Sequence, residues 1–422
     1  MKYSDFSVEQ LEQRLGVLQD NYARIKDAGL NLDITRGKPS AEQLDLSNGI
    51  DGILEGFFLL QDGTDVRNYG GILGIPEARQ LGADILSLQP SEVLVGGNSS
   101  LSLMYNMIAH MIGAWEEESR QSNSKVKFLC LVPGFDRHFT ICEHFDIEMI
   151  NVGFLTDGPD LDTIEVMLER DPMIKGIWCV PKYSNPTGHT YNTAAVKRFA
   201  QLGKIAGPNF RIMWDDAYTV HHLTDTPDEL HNLMQEARAA GTQDSVVMFA
   251  STSKVTFAGA GIAFLGTSMD NLKAFEKFLS AQVIGFDKVN QLRHVRFLKD
   301  TSNLAAHMEK HRHLLGPKFD LVQTKLEANL GKRGIAEWTN PRGGYFVSLD
   351  TMPGIANEVV RLAADAGVKL TPAGATYPYG LDSDNKNIRI APTFASLDKL
   401  GQALDVFVVC LELAAINKLL ST

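Results

Sequence analysis

Five short polar clusters hold the side chains from which chemistry could be built, and each follows an apolar run. Gly96 and Gly97 lead into Asn98, Ser99 and Ser100 at the head of a helical pattern. A helix N-terminus offers backbone N–H groups and a favourable dipole to a phosphate. The same serines also serve as an ordinary helix cap. The second cluster, PGFDRHF, contains Phe135, Arg137 and His138. PKYSNPTGHT contains Asn185, WDDAY contains Asp215, Asp216 and Tyr218, and STSK contains Ser251, Ser253 and Lys254. Lysine acts as a nucleophile through its amine, and a buried carboxylate favours a positive partner. Singly, NPTG is a turn, Asp215 a cap, Phe135 a core aromatic and Lys254 a surface lysine. In this order, together, they are hard to explain as coincidence.

Such clusters need a scaffold that brings strand ends together. From about residue 70 to 290, β-rich runs alternate with helical ones: KVKFLCLV (125–132), IEMINV (147–152), MIKGIWCV (173–180), RIMWD (211–215) and DSVVMFAS (244–251). AAVKRFAQLGKIA is one of the helical patterns between them. Continuous apolar strands alternating with helices predict an α/β fold with a mostly parallel sheet covered on both faces. Ligands bind such sheets at the carboxyl ends of the strands, where the clusters lie. Ser7 to about Gly29 has helical spacing, and LDITRGKPSAEQLDLS reads as an extended arm. After residue 290 come a long helical pattern (about 291–330), GGYFVSLD, a helix near 355–366, short strands at GVKLTP and NIRIAP, and a closing helix. The expected organisation is a large domain over 51–290 and a smaller α+β domain over 291–422, completed by the arm at 1–50.

Composition narrows the class. The 422 residues are 44% hydrophobic and 22% charged, a balance that supports a sizeable core. A net charge of −11 argues against a broad nucleic-acid surface but leaves room for one positive pocket. The polar, acidic N-terminus lacks the features of a secretion signal, and no run approaches the length of a membrane span. The nearest, VFVVCLELAAINKLL, contains Glu412 and Lys418. Cys130, Cys142, Cys179 and Cys410 form no CxxC pair and read as buried thiols, so the expected setting is cytoplasmic.

The order of clusters resembles the class I and II (fold-type I) aminotransferases, enzymes that use pyridoxal 5′-phosphate (PLP). The resemblance runs from RNYGGILGIPEAR (67–79) to NIRIAPTF (387–394), with SNPTG, DDAY and STSK as its most specific trio. TRGKPSAEQLDLS points further to the aspartate aminotransferase branch called subgroup Ic. The resemblance implies that Lys254 is the Schiff-base lysine and that Ser251, Ser253, Ser99 and the backbone around Asn98 and Ser100 surround the phosphate. It implies that Asp215, selected over Asp216 by its spacing from Tyr218, faces the pyridine nitrogen. Tyr218 and Asn185 would bond the phenolic oxygen, Phe135 would stack on the ring and His138 would support the aspartate. Tyr69 would reach the phosphate of a neighbouring subunit, which implies a homodimer with shared sites.

Arg389 matches the arginine that takes the substrate α-carboxylate, a task that suits a bidentate fork. A dicarboxylic substrate needs a second cation, for which Arg137 and then Arg36, beside Gly37, are the candidates. The implied reaction is ping-pong transamination from L-aspartate to 2-oxoglutarate. Aromatic, kynurenine-like or neutral donors and β-elimination remain alternatives, since fold and cofactor motifs do not choose between them. A non-catalytic PLP sensor is disfavoured, because the matching pattern starts within the first 70 residues and leaves no room for a DNA-binding domain. One departure stands out. The family places a phosphate-binding arginine seven or eight residues after the lysine, where this chain has Gly261 and Ile262.

Overall fold

The computed structural model describes residues 2–155 and 158–421. Ser7 opens the first helix with a reciprocal cap: its hydroxyl accepts from Gln10 N at 3.2 Å, and the Gln10 side chain accepts from Ser7 N at 2.9 Å. Helix α1 (Val8–Asp27) packs on the last helix of the chain through Leu11 and Leu18. The arm then forms a two-residue strand, β1 (Leu32–Asp33), passes through Arg36 and Gly37, and ends in the short helix α2 (Ala41–Asp45). The arm was expected to be extended throughout; Ser40 and Gln43 instead build a second capping box that starts this helix.

The large domain is organised by a seven-stranded sheet. Its strands are β2 (Val93–Val95), β3 (Lys127–Leu131), β4 (Glu148–Val152), β7 (Ile174–Cys179), β8 (Arg211–Asp215), β9 (Val246–Ser251) and β10 (Ala263–Thr267). An antiparallel pair of two-residue strands, β5 (Phe154–Leu155) and β6 (Gly158–Pro159), lies outside it. The order is β2-β10-β9-β8-β7-β3-β4, parallel except for β10, which runs antiparallel to both neighbours. Every residue of β7 and β10 is buried, as expected of internal strands covered on both faces, and so is every residue of the edge strand β2. The connecting and covering helices are α3 (Pro76–Leu86), α4 (Ser100–Ser122), α5 (Asp136–His144), α6 (Leu161–Arg170), α7 (Thr193–Ile205), α8 (Leu233–Ala240) and α9 (Met269–Leu279).

The expected single helix over 291–330 is two helices, α10 (Lys288–Leu298) and α11 (Thr301–Leu330). Lys299 turns the chain with φ +57°, and Asp300 caps α11 by accepting from Asn303 N at 2.8 Å. Both helices bury apolar residues, so the hydrophobic rhythm hides the break. The smaller domain follows: β11 (Ala336–Trp338), β12 (Val347–Thr351), α12 (Ala356–Asp365), β13 (Val368–Lys369), β14 (Asn387–Ile390) and α13 (Leu397–Ser421). Strands β11, β12 and β14 form an antiparallel sheet, while β13 pairs in parallel with β1 of the arm. Both chain ends therefore build one α+β unit.

Glu412 ties those ends together. Buried on α13, it accepts from Tyr3 Oη at 2.9 Å and from Arg14 Nε at 3.0 Å. Replacing it by alanine strands two donors, and we expect a loss of about 2 kcal/mol, read as a lower urea midpoint. An unchanged midpoint would show that water satisfies these groups equally well.

Candidate active site

The parallel strands deliver the polar clusters to one crevice because a turn follows each carboxyl end. β2 leads to Ser99 and Ser100, β3 to Phe135, β7 to Asn185, β8 to Asp215 and Tyr218, and β9 to Ser251, Ser253 and Lys254. These residues line an inner cavity of about 210 Å³. An outer cavity of about 630 Å³ shares Phe135, Asn185, Tyr218 and Lys254 with it and adds Arg36, Gly37 and Lys38 of the arm, Asp136, Arg137, Phe346 and Arg389. The two domains and the arm thus enclose one continuous site.

Asp215 is buried at the floor. Its Oδ2 lies 3.1 Å from His138 Nε2, while its Oδ1 is buried without a partner among the described residues. His138 stacks on Trp178 with ring centroids 4.3 Å apart, and the Trp178 indole N–H is directed at Cys142 Sγ, 3.2 Å away. This sandwich fixes the aspartate on one side and leaves the other oxygen open to a positively charged donor. Lys254 Nζ sits 4.9 Å from the centroid of the Tyr218 ring. Burial lowers the pKa of this amine, and Asp215 opposes part of that shift, so the neutral, nucleophilic form gains population. Burial, with Asp215 next, pushes the Tyr218 phenol upward.

Around the other end of the inner cavity the groups are hydroxyls. Ser99 stands at the N-cap of α4, yet its side chain makes no capping bond, unlike an ordinary cap serine. Ser251 Oγ bonds Ser253 Oγ at 3.1 Å, and Ser253 Oγ donates to the Asn98 carbonyl at 3.0 Å. The Asn98 side chain turns away to the Gly259 carbonyl. Seven and eight residues after Lys254, at Gly261 and Ile262, a larger side chain would crowd its neighbours. A Cβ on Gly261 would lie 2.9 Å from Thr252 Oγ1 and 3.0 Å from the Phe257 carbonyl, and Ile262 is buried in the core. Among the described residues lining the inner cavity, Lys254 is the sole cation. An anion here meets a helix N-terminus and hydroxyls.

PLP suits this donor set. A pyridinium N–H would answer the unpartnered Asp215 oxygen, an amine of lowered pKa stands near it, and the Ser99 hydroxyl, free of a capping bond, joins the linked Ser251 and Ser253 hydroxyls at the other end.

Arg389 rises from β14 into the outer cavity. Its Nη1 lies 3.1 Å from Asp136 Oδ1 and 3.3 Å from Asn185 Oδ1, and its guanidinium carbon stands 4.9 Å from the Phe346 ring centroid. The arm reaches this ring through Gly37, where a Cβ would lie 2.3 Å from Phe346 Cζ. Arg36 and Arg137 also line this cavity and are exposed. Tyr69 is 85% exposed on this chain and lines neither cavity. His138 lines neither cavity and reaches the site through its bond to Asp215 and its edge-to-face contact with Phe135.

Sequence reasoning missed several participants. Lys38 and Asp136 lie inside recognised motifs but carried no separate signal. Behind Lys254, His221 Nε2 lies 3.3 Å from its carbonyl and Tyr345 Oη 3.4 Å from the same oxygen. His307 and His311 both bond the Val255 carbonyl, at 2.7 and 3.0 Å, and Gln43 Nε2 donates to Tyr345 Oη and reaches His311 Nδ1. Burial first, then His307, hold the His311 imidazole down at about 4, against the Val255 bond that favours its charge. Below the ordinary 6.5 the unfolded chain binds a proton that the folded chain refuses until about pH 4. Stability should therefore fall as pH drops across that window, with roughly 3 kcal/mol from this residue. Urea midpoints at several pH values should show a shallower dependence in His311→Gln; an identical slope would remove His311 from the account.

The whole chain matches known proteins. The family model described as aspartate amino-transferase matches residues 6–422. An aspartate aminotransferase of Corynebacterium glutamicum is 43% identical over 419 residues, covering 97% of this chain and 96% of that protein. The crystal structure of an aspartate transaminase from the same organism superposes with a TM-score of 0.95 at 41% identity, covering 99% of both chains. An α-aminoadipate aminotransferase of Thermus thermophilus, solved with N-(5′-phosphopyridoxyl)-L-leucine, shares the fold at a TM-score of 0.73 and 20% identity, covering 92% of this chain and 93% of that one. With the family model spanning residues 6–422 and a 43% identical relative covered almost end to end, the chain belongs to the aspartate aminotransferase family and is a transaminase.

Proposed function

We propose that this transaminase uses PLP held at Lys254 and moves the amino group of a dicarboxylic amino acid, L-aspartate, to 2-oxoglutarate. One observation carries the substrate reading: besides Lys254, the described residues lining the outer cavity include four cations, Arg36, Lys38, Arg137 and Arg389, against the single carboxylate of Asp136. A site with that balance favours a substrate with two negative groups. The name of the 43% identical relative supports the same donor.

When bound, PLP supplies an electron sink for the negative charge that develops at the substrate Cα. Asp215 would keep a positive charge on the ring nitrogen, and His138 holds Asp215 in place. Tyr218 and Asn185 would hold its phenolic oxygen, Phe135 would cover the ring, and Ser99, Ser100, Ser251 and Ser253 with the backbone near Asn98 would receive the phosphate. Lys254 Nζ would take the proton from the substrate Cα and hand it to the cofactor side within the same half-reaction, and carry it the opposite way in the second. Arg389 grips the α-carboxylate, and Arg137 or Arg36 meets the distal one. Tyr69, exposed on this chain, is suited to reach a second copy's site, so the working unit is a homodimer with shared sites. Among the described residues no helix is long and apolar enough to cross a membrane.

Initial rates over a panel of aspartate, glutamate, kynurenine, phenylalanine and alanine test the donor. Aspartate and glutamate should lead, and Arg137→Ala should weaken them about tenfold while sparing alanine. A panel led by an aromatic donor, or equal losses for aspartate and alanine, would overturn the dicarboxylate assignment.

A further inference from the structure

We propose that Asp136 is a resident counter-ion of the substrate arginine and sets how tightly carboxylate ligands bind. This rests on the reading that Arg389 receives the α-carboxylate. Asp136 is the first residue of α5, directly after Phe135 and two residues before His138, so the segment that shapes the cofactor end also presents a carboxylate to the substrate end. Its Oδ1 is 3.1 Å from Arg389 Nη1, the same nitrogen that faces Asn185.

The two partners differ in freedom. The Arg389 side chain is 8% exposed and is held by its strand, by Asn185 and by the face of Phe346, whereas the Asp136 side chain is 32% exposed. Arg389 Nε is buried and unpartnered among the described residues, so the guanidinium is only partly satisfied by what surrounds it. A second cation waits for a displaced carboxylate, because Arg137 Nε lies 3.9 Å from Asp136 Oδ2. An arriving α-carboxylate must either share Arg389 with Asp136 or drive Asp136 toward Arg137 and solvent. Either route sets a negative charge against the incoming one, a cost that a neutral side chain at 136 would not impose. Without Asp136, Arg389 keeps its strand, Asn185 and the Phe346 face, so removing the charge should tighten binding.

The test is calorimetric titration of the PLP-loaded protein with succinate and with the monocarboxylate propionate. Asp136→Asn should lower the Kd for both by about fivefold, the scale of a half-exposed ion pair. Asp136→Ser should do the same, which separates loss of charge from any bond that asparagine makes. Unchanged or weaker binding in both variants would overturn the proposal and make Asp136 a buttress of Arg389. A gain for succinate alone would also overturn it, placing the effect at Arg137. Arg389→Lys isolates the underlying reading: if succinate binds it as well as the parent, Arg389 is not the carboxylate site, and both statements fall.

Discussion

Replacing Lys254 by alanine is expected to abolish transamination, lowering kcat by about 10⁴-fold or more, with the fold intact. No other amine lines the inner cavity among the described residues, and burial tunes this one toward its neutral form. Lys254→Arg should be as inactive as the alanine variant. Guanidinium keeps the positive charge but has no neutral form at working pH to act as nucleophile or base. Rates measured at saturating PLP, with circular dichroism as the folding control, check this. Activity within tenfold of the parent would transfer the chemistry to another lysine. Lys182 is then the first suspect, because it is buried and burial lowers its pKa as well.

The second large effect is expected at Asp215. Asp215→Asn keeps the size and the contact to His138 but removes the charge that favours a protonated ring nitrogen. We expect kcat to fall by about 10²- to 10³-fold, the range for removal of one preorganised electrostatic partner. The Kd for PLP, followed by fluorescence, should rise as well. His138→Leu should cost less, about tenfold, and the double variant should fall short of the product of the two, since His138 works through Asp215. Equal losses from Asp215→Asn and Asp216→Asn would mean that the wrong aspartate had been assigned. Asp216 Oδ1 is also buried without a partner among the described residues, so this comparison is a real contest.

The parts of this architecture that were legible in the sequence are those with local signatures. KFLCL, IKGIWC and VVMFAS stand out because strands buried on both faces are almost continuously apolar, Lys127, Lys175 and Ser251 aside. AFLGT of β10 is equally buried, but a short run after a glycine-rich loop does not disclose a strand, let alone an antiparallel one. The break at Lys299 escaped because both helices continue the same apolar rhythm. The clusters at the strand ends were found together because turns, serines and the lysine lie within a few residues of one another. Contacts that join distant segments left no such trace. Asp136 with Arg389, separated by 253 positions, and Gln43 with Tyr345, separated by 302, are created by the fold alone. Fold class and the positions of the reactive groups thus follow from local pattern, while the partners that tune those groups do not.

The most direct test of the central claim is covalent. The purified protein, loaded with PLP, is reduced with borohydride and digested, and the peptides are mapped by mass. The account predicts a pyridoxyl group on the peptide that contains Lys254, and none when L-aspartate is added before reduction. A pyridoxyl group on Lys182 or another lysine, or no labelled peptide at all, would contradict it.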